Sequence, residues 1–264
     1  MIFIEYTKYP EGQPFADLRM ALNERADNFI GATLKETQRR ALNRLQNERV
    51  LAHFTDYILL QEMAAETRKL WQHGTMFLVY FIGGQKPVNN MVMEIAAEWS
   101  QYGNIHFKET NDPNIAKLRV SFEDSGNWSY IGTDALLVPI AKATINLGDV
   151  IKQIPISVFK RLVLHEFGHA LGLIHEHQSP AAKVQWNRPY IYLYCATKYN
   201  WGKDKVDKNI IDSYEETSVR RTALDKDSIM GYYIPPEFTL NNEQYPLNDE
   251  LSDDDKTFIA ELYP

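Results

Sequence analysis

The sequence predicts an α+β fold, and three observations carry that expectation. After Trp71, strand-like apolar runs alternate with segments of helical periodicity. Before it, from Asp17 to Leu70, the chain is rich in Ala, Leu, Glu, Arg, Gln and Asn. Towards the C-terminus the periodicity fades into a Pro-, Trp-, Tyr- and Asn-containing stretch, and one last helix follows.

Each element has its own signature. In the N-terminal stretch Leu34, Ala41, Leu42, Leu45 and Leu51 stand at mostly helical separations, which predicts one to three helices with Gly31 as an interruption. Thr75 to Ile82 reads as a strand ended by Gly83-Gly84. Pro87 opens a helix whose Val88, Met91, Val92, Ile95, Ala96 and Trp99 follow the i, i+3, i+4, i+7 spacing. Strands are expected at Ile105–Glu109, at Leu118–Phe122 and at Ala143–Leu147. A helix is expected from Ser157 to Leu171. Gln178 to Asp225 reads as mostly loop with one or two short helices. Ser252 is a plausible N-cap for a helix burying Phe258, Ile259 and Leu262, and Asp253-Asp254-Asp255 reads as a solvated first turn suited to the helix dipole.

Composition excludes several function classes. With 44% hydrophobic and 24% charged residues among 264, the chain has the mix of a folded globular protein. A net charge of −7 without a Lys/Arg tract gives no electrostatic footprint for nucleic acid. The longest apolar runs, such as Phe77 to Ile82, fall far short of the roughly 20 residues of a membrane span. Cys195 is the single cysteine, which rules out an intrachain disulfide and a Cys-based zinc cluster. It is expected to be a small packed hydrophobe. Met1 to Pro10 has neither a basic start nor an apolar core, so the expectation is a cytoplasmic protein or one exported without a cleavable signal.

The informative residues are His165-Glu166-Phe167-Gly168-His169. Residues four apart on a helix differ by about 40° around the axis, so His165 and His169 leave the same face and can chelate one Zn²⁺. Glu166 then points to the open side of the metal. If the helix continued, His175 would lie roughly 240° from His169 and could not reach the same ion. Gly172 can adopt the left-handed conformation that ends a helix, which brings His175 back as a third ligand. Three histidines leave a corner open for chemistry. A glutamate ligand from a second helix has no source, because there is no glutamate between Glu176 and Glu215.

Through the run His165 to His175 the chain resembles the metzincin metallopeptidases. Asp227-Ser-Ile-Met230-Gly-Tyr232 is similar to their methionine turn. Glu176 directly after the third histidine, and Tyr232 two residues after Met230, resemble the astacin-like branch. Trp128 to Asp134, Ala143 to Gly148 and Leu251 to Pro264 look like its microbial members. Coverage runs from about Leu70 to the end. Gly231 departs from the pattern, standing where a histidine is common, and the disulfides of secreted animal members cannot form.

The resemblance implies a twisted mixed sheet with the active-site helix above a mostly irregular and helical C-terminal subdomain. The expected division is a helical N-terminal extension over 1–68 and a zinc metallopeptidase domain over 69–264, split into 69–172 and 173–264. It implies one catalytic Zn²⁺ on His165, His169 and His175, Glu166 as general base, and Tyr232 as the residue that steadies the oxyanion. Met230 is expected to pack beneath the site, His177 to make a structural hydrogen bond, and Glu176 to anchor a buried polar contact. The edge strand that would pair with substrate is expected at about Ala143 to Gly148. Residues 1–68 are expected to be a packed extension, or else a latency segment in which a carboxylate such as Asp17 closes the site. Tyr190, Tyr192, Tyr194, Tyr199 and Trp201 read equally as cleft lining or as a packed loop. The function implied is hydrolysis of internal peptide bonds by a monomer; the alternative is a silent zinc-binding module that holds peptides or partner proteins.

Overall fold

The computed structural model describes residues 69–152, 154–180, 182–214 and 224–264. The expected helical extension over 1–68 lies outside them. Five strands form one sheet: β1 (Met76–Ile82), β2 (His106–Glu109), β3 (Leu118–Ser121), β4 (Asn127–Ser129) and β5 (Ile145–Leu147). Their order is β2-β1-β3-β5-β4. All neighbours run parallel except β4, which is antiparallel to β5 with Trp128 opposite Asn146. The sheet is mixed, as expected.

β1 shows how the pattern produces the layer. Phe77, Val79 and Phe81 point one way and are buried, while the residues between them are partly open. On the buried face lie two helices, α1 (Lys86–Ala96) and α2 (Ile156–Ala170). Pro87 sits in the first turn of α1, where the missing N–H costs nothing, and Val92, Ile95 and Ala96 turn inward. α2 packs against α1, β4 and β5, and from Arg161 to Ala170 every residue is buried.

The C-terminal part carries α3 (Arg188–Tyr199), α4 (Lys203–Val206) leading into a π turn (Asp207–Ile211), and α5 (Asp253–Leu262). α3 is a twelve-residue helix inside a stretch expected to be mostly loop, and Asn200 ends it in the left-handed conformation at φ 55°. The aromatic residues here belong to a second core: Tyr192, Tyr194, Tyr199 and Trp201 pack around Ile191, Cys195, Ile210, Tyr232 and Phe238. Cys195 is fully buried within it, as expected of a packed thiol.

Two expectations need correction. Residues 143–148 do not form the edge of the sheet. β5 lies between β3 and β4, and the short β4, absent from the sequence reading, takes the outer place. Its three residues are too few for an alternation signal, and all three are buried. The acidic run opening α5 is also not wholly solvated, because Asp255 is buried.

Candidate metal centre

The last turn of α2 ends in a Schellman motif. Gly172 N–H donates to the His169 carbonyl at 2.8 Å and Leu173 N–H to the Gly168 carbonyl at 3.0 Å. Gly172 stands at φ +101°, a backbone that residues with a Cβ rarely adopt, and an added Cβ would meet Leu70 at 2.9 Å. The chain therefore bends where the sequence predicts. A clasp holds the bend from below: Trp71 Nε1–H donates to the Ala170 carbonyl at 2.8 Å, and the Tyr263 hydroxyl donates to the Leu171 carbonyl at 2.5 Å.

Past the bend, His175 returns to the helix. Its Nε2 lies 3.0 Å from His169 Nε2, and candidate ligand atoms of His165, His169 and His175 all fall within 4.8 Å of one another. Tetrahedral zinc at 2.0–2.1 Å separates two nitrogens by roughly 3.3 Å, so this spacing fits a shared ion. The opposite ring nitrogens face acceptors. His165 Nδ1 meets the Ile229 carbonyl at 2.8 Å, His169 Nδ1 the Leu173 carbonyl at 2.8 Å, and His175 Nδ1 the Gln178 Oε1 at 3.1 Å. Each Nδ1 thus carries the proton and each Nε2 presents its lone pair to the centre. Burial, and then the neighbouring imidazoles, hold His169 and His175 well below the usual histidine range, so both are neutral at neutral pH. These three side chains are positioned as a zinc-binding site.

Glu166 lies on the same helix, completely buried next to the first histidine. Tyr232 is brought in from the second core, and its ring centroid is 4.1 Å from that of His175. His177 stacks on Tyr232 at 4.7 Å and on His175 at 5.4 Å, and burial pulls its pKa down to about 3. It is a neutral wedge behind the tyrosine. Met230 is the floor: its Sδ lies 2.5 Å from where a Cβ on Gly168 would sit, so the helix and the turn approach closely here. Glu176 accepts from Asp225 N–H at 3.3 Å, and burial raises its carboxyl to about 7. It anchors a polar contact, as expected.

Asp255 and Gln178 are the residues the sequence reading missed. Asp255 accepts from Ile229 N–H at 2.8 Å, from the Ser228 hydroxyl at 2.7 Å and from Ser252 N–H at 3.0 Å. One carboxylate thus caps α5 and pins the methionine turn whose Ile229 carbonyl orients His165. The Ser252-x-x-Asp255 spacing is a capping-box signal that could have revealed half of this role. Nothing local in the sequence reveals the other half, which spans 26 residues.

Comparison with known proteins follows the same lines. A family model described as Astacin, a peptidase family, matches residues 63–246. A solved structure titled "Structure of myroilysin" is 39% identical, with a TM-score of 0.71, covering 74% of this chain and 96% of that one. A second myroilysin structure is 38% identical, with a TM-score of 0.58, covering 74% and 86%. High choriolytic enzyme 1, a hatching enzyme zinc-protease from the medaka fish Oryzias latipes, is 18% identical with a TM-score of 0.50, covering 74% and 94%. At that identity the likeness speaks for the fold alone. No match is found among curated proteins.

Proposed function

This chain belongs to the astacin family of zinc metalloendopeptidases, and from that premise we propose that it cleaves internal peptide bonds of protein substrates with Glu166 as general base. The observation that carries the reading is the convergence of three Nε2 atoms whose Nδ1 partners fix the ligating tautomer. His165, His169 and His175 would hold the ion. When bound, zinc lowers the pKa of water to about 7 and polarises a carbonyl oxygen.

The chain's own residues supply the rest. Glu166, buried beside His165, accepts the proton of the attacking water on its carboxylate and passes it to the departing amine. Its complete burial places the carboxylate within the protein, on the helix that also carries His165 and His169. Tyr232, backed by His177, presents its hydroxyl to the developing oxyanion. Residues 69–264 are read as the peptidase domain, divided at 172/173, where the Gly172 bend separates the two histidines of α2 from His175.

Casein hydrolysis tests the proposal. Activity is expected to vanish with a chelator and return with Zn²⁺. Glu166→Gln should keep zinc bound and lower turnover by roughly 10²–10⁴-fold. Full activity in that variant would remove Glu166 from the role. No hydrolysis by the zinc-loaded parent would favour a silent binding module.

A further inference from the structure

We propose that Gln178 is the positioning residue of the third zinc ligand, and that it draws its rigidity from the π turn that follows α4. The inference rests on His175 being a ligand. Gln178 is buried, in the short 3₁₀ turn Glu176–Gln178 just after that histidine. Its Nε2 donates to the Lys208 carbonyl at 3.0 Å and to the Asp212 carbonyl at 3.3 Å. Carbonyl oxygens only accept, so the amide has one possible orientation, with Nε2 towards the turn and Oε1 towards His175. An oxygen at that place can only accept, so His175 Nδ1, 3.1 Å away, must be the donor. The ring is thereby fixed in the tautomer whose Nε2 lone pair faces His169.

The π turn makes this possible. In an α-helix Asp212 N–H would reach the Lys208 carbonyl, four residues back. Here it reaches the Asp207 carbonyl instead, at 2.8 Å, and the Lys208 carbonyl accepts from Gln178. Tyr214 N–H closes the link by donating to the Gln178 carbonyl at 2.9 Å. The other two ligands are oriented by backbone carbonyls, Ile229 for His165 and Leu173 for His169. The third is oriented by a side chain, so a substitution can test it alone.

Zinc affinity of the full chain, read by competition with a fluorescent chelator, separates the possibilities. Gln178→Leu removes the acceptor and should weaken zinc roughly 10–100-fold. Gln178→Glu keeps an oxygen at His175 Nδ1 but sets its second oxygen against the Lys208 and Asp212 carbonyls. It should bind zinc within a few-fold of the parent while the metal-free protein melts earlier. Parent-like affinity in Gln178→Leu overturns the proposal. So does a loss in both variants that tracks the stability of the metal-free protein. His175→Ala is the control: if it binds zinc as the parent does, the ligand reading falls and takes Gln178 with it. If only Gln178→Leu is parent-like, the ligand reading stands and the positioning role alone fails.

Discussion

Gly172 decides whether a helix with two histidines becomes a centre with three. Its φ of +101° closes the Schellman motif, and the space beside it is taken by Leu70. Gly172→Ala should therefore cost about 1–3 kcal/mol of stability in urea unfolding of metal-free protein. It should also release zinc, because His175 is displaced. Unchanged stability with unchanged metal content would mean that the bend does not depend on glycine. The ligand residues were legible in the sequence because their spacing is a local, helical code: His165 and His169 share a face, and Gly172 marks the break. Gln178 was not legible. Its partners Lys208 and Asp212 lie 30 and 34 residues away, and the π turn that aims their carbonyls leaves no pattern in the sequence.

Among the elements, α1, α2, α5 and strands β1, β2, β3 and β5 follow from periodicity and punctuation, whereas β4 and α3 do not. β4 has three residues and owes its existence to pairing with β5. α3 hides behind a composition of tyrosines and a threonine that are poor helix formers, and packing of Ile191 and Cys195 decides it. Three successive aspartates suit a solvated N-terminal turn, yet Asp255 turns inward to the methionine turn because capping and anchoring use the same oxygens. Asp255→Ala removes acceptors from the buried Ile229 N–H and Ser228 hydroxyl and should cost about 1–3 kcal/mol. Burial outweighs these hydrogen bonds and raises the Asp255 carboxyl above its ordinary value of 3.8. The folded state then holds this proton more tightly than the unfolded chain does. The contribution to stability is complete below pH 3.8 and is lost as pH rises through the folded value. Asp255→Asn lacks that titration, so its stability deficit relative to the parent should shrink as pH rises through this window. Urea midpoints across a pH series read the difference directly, and a deficit that grew with pH would contradict the burial argument.

At the scale of the whole molecule, the site joins two cores. His165, His169 and the Met230 floor belong with the sheet and α2, while Tyr232 and the π turn behind Gln178 belong with α3. His175, just past the bend, faces both. A ligand that binds only the folded arrangement stabilises it by mass action. The melting temperature should therefore rise with free Zn²⁺ and fall with a chelator; a melting temperature indifferent to zinc would show that the ion does not bridge the two parts. The family relation reaches the same residues from the outside, since the matched segment 63–246 contains every proposed ligand and Tyr232. The proposed chemistry requires one ion held by three imidazoles across the Gly172 bend. X-ray absorption at the zinc edge of the purified protein tests this most directly. It should find one zinc per chain with three histidine nitrogens at about 2.0–2.1 Å. A shell with two histidines, or no stoichiometric zinc, would contradict it.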